Sequence, residues 1–245
     1  MRNLMAGAPS AGSGPCVRLA HCRLSVAPWD WPFAREHVSA IDAHWEKRCA
    51  ALPALFNGTT YLMREHTVTG DEFSGTLFET DFKTLLYWRA NPTTAHDGVR
   101  EAFGASLIRS AEGHVLLGRQ GPGQVTSGLI YQPGGIFDGD DVKGDSIDID
   151  ASVERELVEE TGLSAADFLR VPGFLVAPAG IKVAVGIEWR SALPADELRG
   201  RIVDFLARQA EPELADIIIA KRPGDIDEAL MPLHARLLLD SVLSA

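Results

Sequence analysis

Residues 155–163 read RELVEETGL, a pattern that predicts a helix with three acidic side chains on one face. Successive residues of a helix are rotated by about 100°, so Glu159 and Glu160 lie roughly 60° and 40° to either side of Glu156. Three neighbouring carboxylates repel one another and raise each other's pKa. The pattern therefore predicts a cation on this face of the helix.

The residue types of this stretch also indicate which cation is expected. Carboxylate oxygens on a rigid element favour a hard divalent ion, Mg²⁺ or Mn²⁺, and Mg²⁺ is usually shared between carboxylates and substrate phosphates. Arg155 lies one helical turn before Glu159 and is placed to pair with it. Gly162 follows as a residue that can close a helix in the left-handed conformation. A solvated acidic helix without any ligand is the alternative.

Composition excludes several classes of function. The chain has 245 residues, 46% of them hydrophobic, and a formal net charge of −11. An acidic field repels polyanions, so we expect no nucleic-acid partner and no anionic membrane. The cysteines, Cys16, Cys22 and Cys49, lack metal-ligand spacing and suit a reducing compartment. The opening residues do not resemble a signal peptide, so we expect a cytoplasmic protein.

The chain before the motif is predicted to hold a tail and an accessory region. Residues 1–15 are rich in small residues and predict a disordered tail. Residues 16–95 predict an N-terminal accessory α+β region. Within it we expect a strand over 16–26, a helix from Pro32 to about Ala51 and a small sheet over 54–91.

Residues 96–245 predict a mixed α/β domain. A hairpin over 105–120 is followed by a strand at 129–132 that enters Pro133-Gly134-Gly135, and then by an acidic loop at 136–147. The remaining predicted elements are a helix at 148–161, strands at 173–178 and 182–190, a helix at 193–209, a strand at 215–220 and a helix at 227–244.

The stretch RELVEETGL matches every position of the second half of the Nudix box, REUxEExGU, in which U is aliphatic. On these residues, with the preceding strand and glycines, the region of about 100–240 resembles a Nudix hydrolase. The resemblance implies an α/β/α sandwich with a mixed sheet, here with the N-terminal α+β extension. It also implies metal-dependent hydrolysis of a nucleoside diphosphate linked to another moiety. The residues it implies as catalytic are Arg155, Glu156, Glu159 and Glu160, the three glutamates being metal ligands.

The chain departs from the Nudix box in the acidic loop. Nineteen residues, 136–154, separate Gly135 from Arg155, which is more than the box has, and the position of its first glutamate is Ile147. We expect a loop aspartate to supply the missing carboxylate, with Asp138 and Asp141 as the first candidates for metal ligands. Asp145 and Asp148 are further candidates, and the alternative for Asp148 or Asp150 is a cap at the start of the helix.

Substrate contacts are predicted near the glycines. Gly134 and Gly135 are expected to shape the loop beside the substrate, and Arg119 is expected to clamp a phosphate with its guanidinium. The segments LFNGTTYL at 55–62 and TDFK at 80–83 resemble a vertebrate Nudix branch that hydrolyses UDP-glucose and UDP-galactose. That resemblance implies UDP-hexose as substrate and predicts that Asn57 reads a base edge.

Other functions remain open at this point. ADP-ribose or a dinucleotide is the rival substrate for a pyrophosphatase of this kind. A catalytically silent nucleotide sensor is the alternative from another class, because Ile147 stands where the box has a glutamate. An isomerase lacks support, since no cysteine lies near the motif. The oligomeric state is also open, a homodimer included.

Overall fold

The structure is a computed structural model that describes residues 14–91 and 98–244. Its strands are β1 (Val17–Leu19), β2 (His21–Val26), β3 (Thr59–Thr69), β4 (Glu72–Asp81), β5 (Glu101–Arg109), β6 (Val115–Gln120), β7 (Ile130–Tyr131), β8 (Val142–Lys143), β9 (Ser146–Ile147), β10 (Leu169–Arg170), β11 (Phe174–Ala179), β12 (Lys182–Arg190) and β13 (Leu214–Ala220). Its helices are α1 (Pro32–Glu36), α2 (Val38–Ala51), α3 (Phe82–Ala90), α4 (Ile149–Thr161), α5 (Ala195–Leu206) and α6 (Leu233–Leu243).

The larger sheet is mixed, with the order β1-β11-β12-β5-β6-β13 and with β7 and β10 at its margins. The central pair β5 and β12 is parallel, with Glu101 opposite Lys182 and Arg109 opposite Arg190. Parallel strands that are covered on both faces carry nearly continuous apolar residues, and both strands have this composition. The predicted mixed sheet is confirmed.

Helices cover both faces of the larger sheet. Ile108 and Ile187 point to one face, where they join a buried cluster with Val153 of α4 and Ile202 of α5. Leu107 of β5 joins the cluster on the other face, which is covered by α6. Because successive side chains of a strand point to opposite faces, β5 contributes residues to the hydrophobic clusters on both faces of the sheet. The predicted α/β/α sandwich is confirmed.

The smaller sheet combines the N-terminal region with part of the acidic loop. Its order is β3-β4-β2-β9-β8, with β2 and β4 parallel. The prediction that residues 136–147 form only a loop is wrong, because β8 and β9 form a short hairpin that pairs with β2 at Ser25. The cause is Ile147, an apolar side chain that is buried in the core rather than exposed.

The N-terminal elements differ from the sequence prediction in three places. The strand expected over 16–26 is two strands in different sheets, since β1 pairs with β11. The helix expected from Pro32 is divided at His37 into α1 and α2. Residues 82–90 form α3 rather than sheet, because Asp81 accepts a hydrogen bond from the Thr84 backbone N–H and caps a helix there.

Two predicted features fall outside the described residues. They are residues 1–13 of the expected tail and the expected boundary between residues 95 and 96, which lies within 92–97. Strand pairing links the regions on either side of that boundary, through β1 with β11 and through β2 with β9. Among the helices of the described residues, none is long and apolar enough to cross a membrane.

Candidate active site

Helix α4 is fixed at both ends and along its buried side. The Asp148 carboxylate accepts a hydrogen bond from the Ala151 backbone N–H at 3.1 Å, which caps the first turn. Gly162 closes the helix with φ of 67°. A Cβ on Gly104 would lie only 2.7 Å from Val153, so this glycine lets the helix approach β5 closely. The acidic face is thereby presented by a rigid element.

Glu160 is the most deeply buried of the three motif carboxylates. Its residue is 6% exposed, and its Oε1 accepts a hydrogen bond from the Gly134 backbone N–H at 3.3 Å. Its Oε2 is buried and has no hydrogen-bond partner among the described residues. Burial, and then the nearby Glu156 carboxylate, raise the pKa of Glu160 well above its usual value. The site thus holds a carboxylate whose charge lacks a partner.

Glu156 and Glu159 lie in less buried surroundings. Burial raises the pKa of Glu156 to about 7, and the charges of Glu159, Glu213 and Asp141 act in the same direction, while Arg155 opposes them. The Glu159 side chain is 59% exposed. The solvent exposure of the three carboxylates on this face of α4 therefore increases from Glu160 through Glu156 to Glu159.

Arg155 is the centre of an ion-pair network. Its Nη1 lies 3.0 Å from Glu156 Oε1 and 3.4 Å from Glu159 Oε2, and its Nη2 donates to Asp141 Oδ1 at 2.9 Å. Asp138 Oδ2 is 3.5 Å from the same Nη2. The contact between Arg155 and Glu159 expected from the helical spacing is present, and the guanidinium also joins the acidic loop to the helix.

Asp138 and Asp141, the predicted loop ligands, contact each other and Arg155. The Asp141 Oδ2 accepts a hydrogen bond from the Asp138 backbone N–H at 3.0 Å, and the Asp138 side chain accepts one from Asp140. Both oxygens of the buried Asp141 are therefore engaged. These contacts favour a role in holding Arg155, and the assignment of either aspartate to the metal stays a prediction.

Gly134 and Gly135 bring the backbone against the acidic helix. A Cβ on Gly135 would lie 2.6 Å from the Glu156 carboxylate carbon, and one on Gly134 would lie 2.2 Å from the Gly104 carbonyl oxygen. Any side chain at either position would occupy space that the carboxylates or strand β5 already fill. The two glycines expected beside the substrate therefore form one wall of the site.

A cavity of about 490 Å³ opens beside these glycines. One end, which we call the glutamate end, is formed by Glu156, Glu160 and Glu213. Burial and the charge of Glu159 raise the pKa of Glu213. Glu213 was not predicted from the sequence, because it lies in no motif and reaches the site only through the position of β13.

Gln120 is a second lining residue that no sequence pattern predicted. It is 5% exposed, and its Nε2 has no hydrogen-bond partner among the described residues. The sequence prediction chose the neighbouring Arg119 instead, but Arg119 is not among the residues that line the cavity. The physical reason is strand alternation, which directs adjacent residues of β6 to opposite sides. The residue predicted to contact substrate, Arg119, is therefore the immediate neighbour of the residue that lines the cavity, Gln120.

Asn57 was predicted to read a base edge, and the structure assigns it to helix α3. Its Nδ2 donates to Asp81 Oδ2 at 3.1 Å, and its Oδ1 accepts a hydrogen bond from the Lys83 backbone N–H at 2.8 Å. It is not among the residues that line the cavity. The prediction for Asn57 is therefore wrong, because both ends of its amide already hold the start of α3.

The residues of the glutamate end fit a divalent cation by their chemistry. Within residues 14–91 and 98–244, no three carboxylate, imidazole or thiolate side chains already converge as ligands on one point. Glu156 and Glu159 are paired with Arg155 instead. The buried, unpartnered Oε2 of Glu160 nevertheless requires a positive partner if the carboxylate is ionised. An oxygen-only donor set of this kind suits Mg²⁺ or Mn²⁺.

Comparison with known proteins gives structural neighbours only, since no family model and no curated relative matches the chain. The structure is similar to those of Nudix hydrolases. RenU from M. smegmatis is 18% identical with a TM-score of 0.37, and the match covers 57% of this chain and 80% of that chain. The MutT protein from Methanosarcina mazei Go1 is 18% identical with a TM-score of 0.39, over 58% of this chain and 92% of that one.

A third neighbour was solved with ligands. It is a bifunctional NMN adenylyltransferase/ADP ribose pyrophosphatase from Francisella tularensis, complexed with AMP and a manganese ion. It is 17% identical with a TM-score of 0.40, and the match covers 59% of this chain but only 41% of that one. Identities this low bear on the fold alone, so the function has to be argued from the site.

Proposed function

We propose that this chain hydrolyses the phosphoanhydride bond of a nucleoside diphosphate linked to another moiety, with Mg²⁺ or Mn²⁺ as cofactor. The observation that supports this best is the buried Glu160 carboxylate, which has an unpartnered oxygen at the wall of a cavity of about 490 Å³. Glu156, Glu159 and Glu160 are the proposed ligands. When bound, a divalent ion offsets the charge that develops on phosphate oxygens and lowers the pKa of water.

The chain's own residues have distinct parts in this proposal. Arg155 holds the Glu156 and Glu159 side chains through its Nη1 and is itself held by Asp141. Glu213 is the carboxylate of the glutamate end that does not belong to α4, and it is our candidate to take the proton of the attacking water. Water adds to one phosphorus and the P–O–P bridge breaks, so the products are two monophosphates.

The substrate we propose first is a UDP-hexose, which would give UMP and a hexose 1-phosphate. The test is a parallel assay of UDP-glucose, UDP-galactose and ADP-ribose with Mg²⁺, with identification of the phosphate-bearing products. We expect a higher kcat/KM for a UDP-hexose than for ADP-ribose. A higher kcat/KM for ADP-ribose would contradict UDP-hexose as the substrate and would favour an ADP-ribose or dinucleotide pyrophosphatase. Binding of these compounds without turnover would instead favour the silent nucleotide sensor.

Gln120→Leu is expected to weaken substrate binding without loss of fold stability. The free Nε2 of Gln120 can donate to a substrate phosphate oxygen, and a hydrogen bond to a charged group contributes about 1.5–3 kcal/mol, or roughly tenfold or more in KM. Leucine is similar in volume and removes a buried donor that lacks a partner. Steady-state kinetics and thermal unfolding check this. An unchanged KM would show that the amide does not contact substrate.

Asp141→Asn is expected to act through Arg155. The substitution weakens the charge-assisted hydrogen bond from Arg155 Nη2 to Asp141 Oδ1, which is 2.9 Å long. We therefore expect the free energy of unfolding to fall by about 1–2 kcal/mol. The exposed Asp140→Asn serves as the matched control in the same loop, because Asp140 is not a candidate ligand. Urea unfolding and the Mg²⁺ concentration for half-maximal turnover are the measurements. A large rise in the Mg²⁺ requirement at unchanged stability would support Asp141 as a metal ligand instead.

A further inference from the structure

The lining of the cavity also includes a buried ion-pair cluster. Glu101 is 2% exposed and accepts two hydrogen bonds from Arg89, from Nε at 2.7 Å and from Nη2 at 2.6 Å. Lys182 Nζ lies 3.6 Å from Glu101 Oε1. We call Arg89 and Lys182 the basic pair. With one carboxylate against two cations, the cluster carries a net charge of +1, although the chain as a whole is acidic.

The basic pair has donors left over for a ligand. Glu101 engages the Nε and Nη2 of Arg89, which leaves Nη1 outside the pair. The separation of Lys182 Nζ from Glu101 is longer than a hydrogen bond. Arginine and lysine can only donate. Both side chains line the cavity, so the group that they complement is one that presents oxygen acceptors.

The walls around the basic pair are aromatic. Phe103, Tyr131 and His234 line this part of the cavity, and the Phe103 and His234 rings meet edge to face with centroids 5.0 Å apart. Lys182 Nζ lies 5.5 Å from the Phe103 ring centroid. Flat apolar surfaces next to fixed polar groups suit a planar ring. Burial, and then the charge of Lys182, lower the pKa of His234 to about 3, so its imidazole is neutral and keeps one acceptor nitrogen.

We propose that the basic pair binds the carbonyl edge of a keto base, uracil among the pyrimidines, with donation from Arg89 and Lys182 to the exocyclic carbonyl oxygen that cytosine lacks. Uracil presents an oxygen where cytosine presents an amino group, which is a donor like the basic pair itself. The basic pair, which can only donate, therefore rejects the amino group of cytosine at this position, because donors would then face a donor unpaired. This proposal rests on the proposed function, since it requires a nucleotide in the cavity.

The test is direct binding of UMP and CMP to the full chain with Mg²⁺ present, measured by calorimetry. The two ligands are nearly equal in size and differ at the edge in question. We expect UMP to bind at least about tenfold more tightly than CMP. We expect Lys182→Met, which keeps the length of the side chain over Phe103, to reduce that ratio to within about threefold.

Lys47→Met is the matched control, because Lys47 is exposed on α2 and is not among the residues that line the cavity. It is expected to keep the full preference for UMP. Equal binding of UMP and CMP, binding of neither, or a preference that survives Lys182→Met would overturn the proposal. Since UMP and CMP contain no phosphoanhydride bond, this result is independent of turnover. Hydrolysis without base selectivity refutes the base site alone, and base selectivity without hydrolysis refutes the proposed activity alone.

Discussion

Replacing Glu160 with glutamine is expected to lower kcat by about a hundredfold or more, and Glu159→Gln is expected to have an effect of the same order. Each carboxylate is a proposed ligand of the divalent ion, and an amide has no negative charge with which to hold it. Turnover of the wild type is expected to disappear in excess chelator and to return when Mg²⁺ is added. Steady-state kinetics across a Mg²⁺ titration measures both effects.

Thermal unfolding separates this loss of activity from a loss of fold. Glutamine at position 160 retains an oxygen that can accept the hydrogen bond from the Gly134 N–H, and it removes a buried carboxylate without a partner. In chelator, Glu160→Gln is therefore expected to unfold at the wild-type temperature or above it. Mg²⁺ is expected to stabilise the wild type and not the variant, since a ligand stabilises only the state that binds it.

The matched control for these substitutions is Glu154→Gln, an exposed position on the same helix. It changes the charge of α4 by the same amount and leaves the predicted ligand face intact. We expect less than a twofold change in kcat. Full activity of the wild type in excess chelator would contradict the metal-dependent mechanism, whatever the variants do.

Local signals in the sequence predicted the elements that position the acidic face. The helix expected at 148–161 is observed as Ile149–Thr161, and the strand expected at 182–190 is observed with those bounds. Helix α4 has strong periodicity and a capping residue at each end, and β12 is a nearly continuous apolar run. Periodicity of this kind depends on neighbours in sequence, so it can be evaluated without the rest of the fold.

The features that the sequence did not reveal depend on distant partners. Strand β9 is only two residues long, and it forms because Ile147 is buried in the core and because β2 offers an edge to pair with. Glu101 and Lys182 come together only because β5 and β12 are parallel neighbours in register. Arg89 reaches the same cluster from the last turn of α3, a helix where the sequence predicts sheet. A single sequence contains no local signal for such contacts.

The N-terminal region contributes to the cavity through α3. Asn57 and Asp81, from the two segments that resemble the UDP-sugar branch, hold the start of this helix. The helix also places Phe82 and Arg89 among the lining residues of the cavity. Asn57 and Asp81 are not themselves among those lining residues. They fix the start of α3, and Arg89 of the basic pair lies at the other end of that helix. This is a physical route by which they would influence base selectivity.

Gly134→Ala is expected to destabilise the protein by about 3 kcal/mol, the upper range for a strained backbone position. The added Cβ would lie 2.2 Å from the Gly104 carbonyl oxygen and 2.9 Å from the Ala105 Cα, both of them backbone atoms of β5. The turn cannot simply retreat, because the Gly104 N–H donates to Gly135 at 3.1 Å and the Ser106 N–H donates to Pro133 at 2.7 Å. Relief of the clash would break these hydrogen bonds.

Gly139→Ala is the control, because a Cβ at Gly139 meets no atom within 4 Å and the glycine has no positive φ. We expect its free energy of unfolding to lie within about 1 kcal/mol of the wild-type value, which is the size of an ordinary glycine-to-alanine effect. Urea unfolding gives both free energies, and a loss of 3 kcal/mol corresponds to a lower Tm by roughly 6–12 °C for a chain of this size. Gly134→Ala is also expected to lose turnover, since the Gly134 N–H is the hydrogen-bond donor to Glu160. If the two variants unfold alike, the close approach of this turn to β5 does not hold the site together.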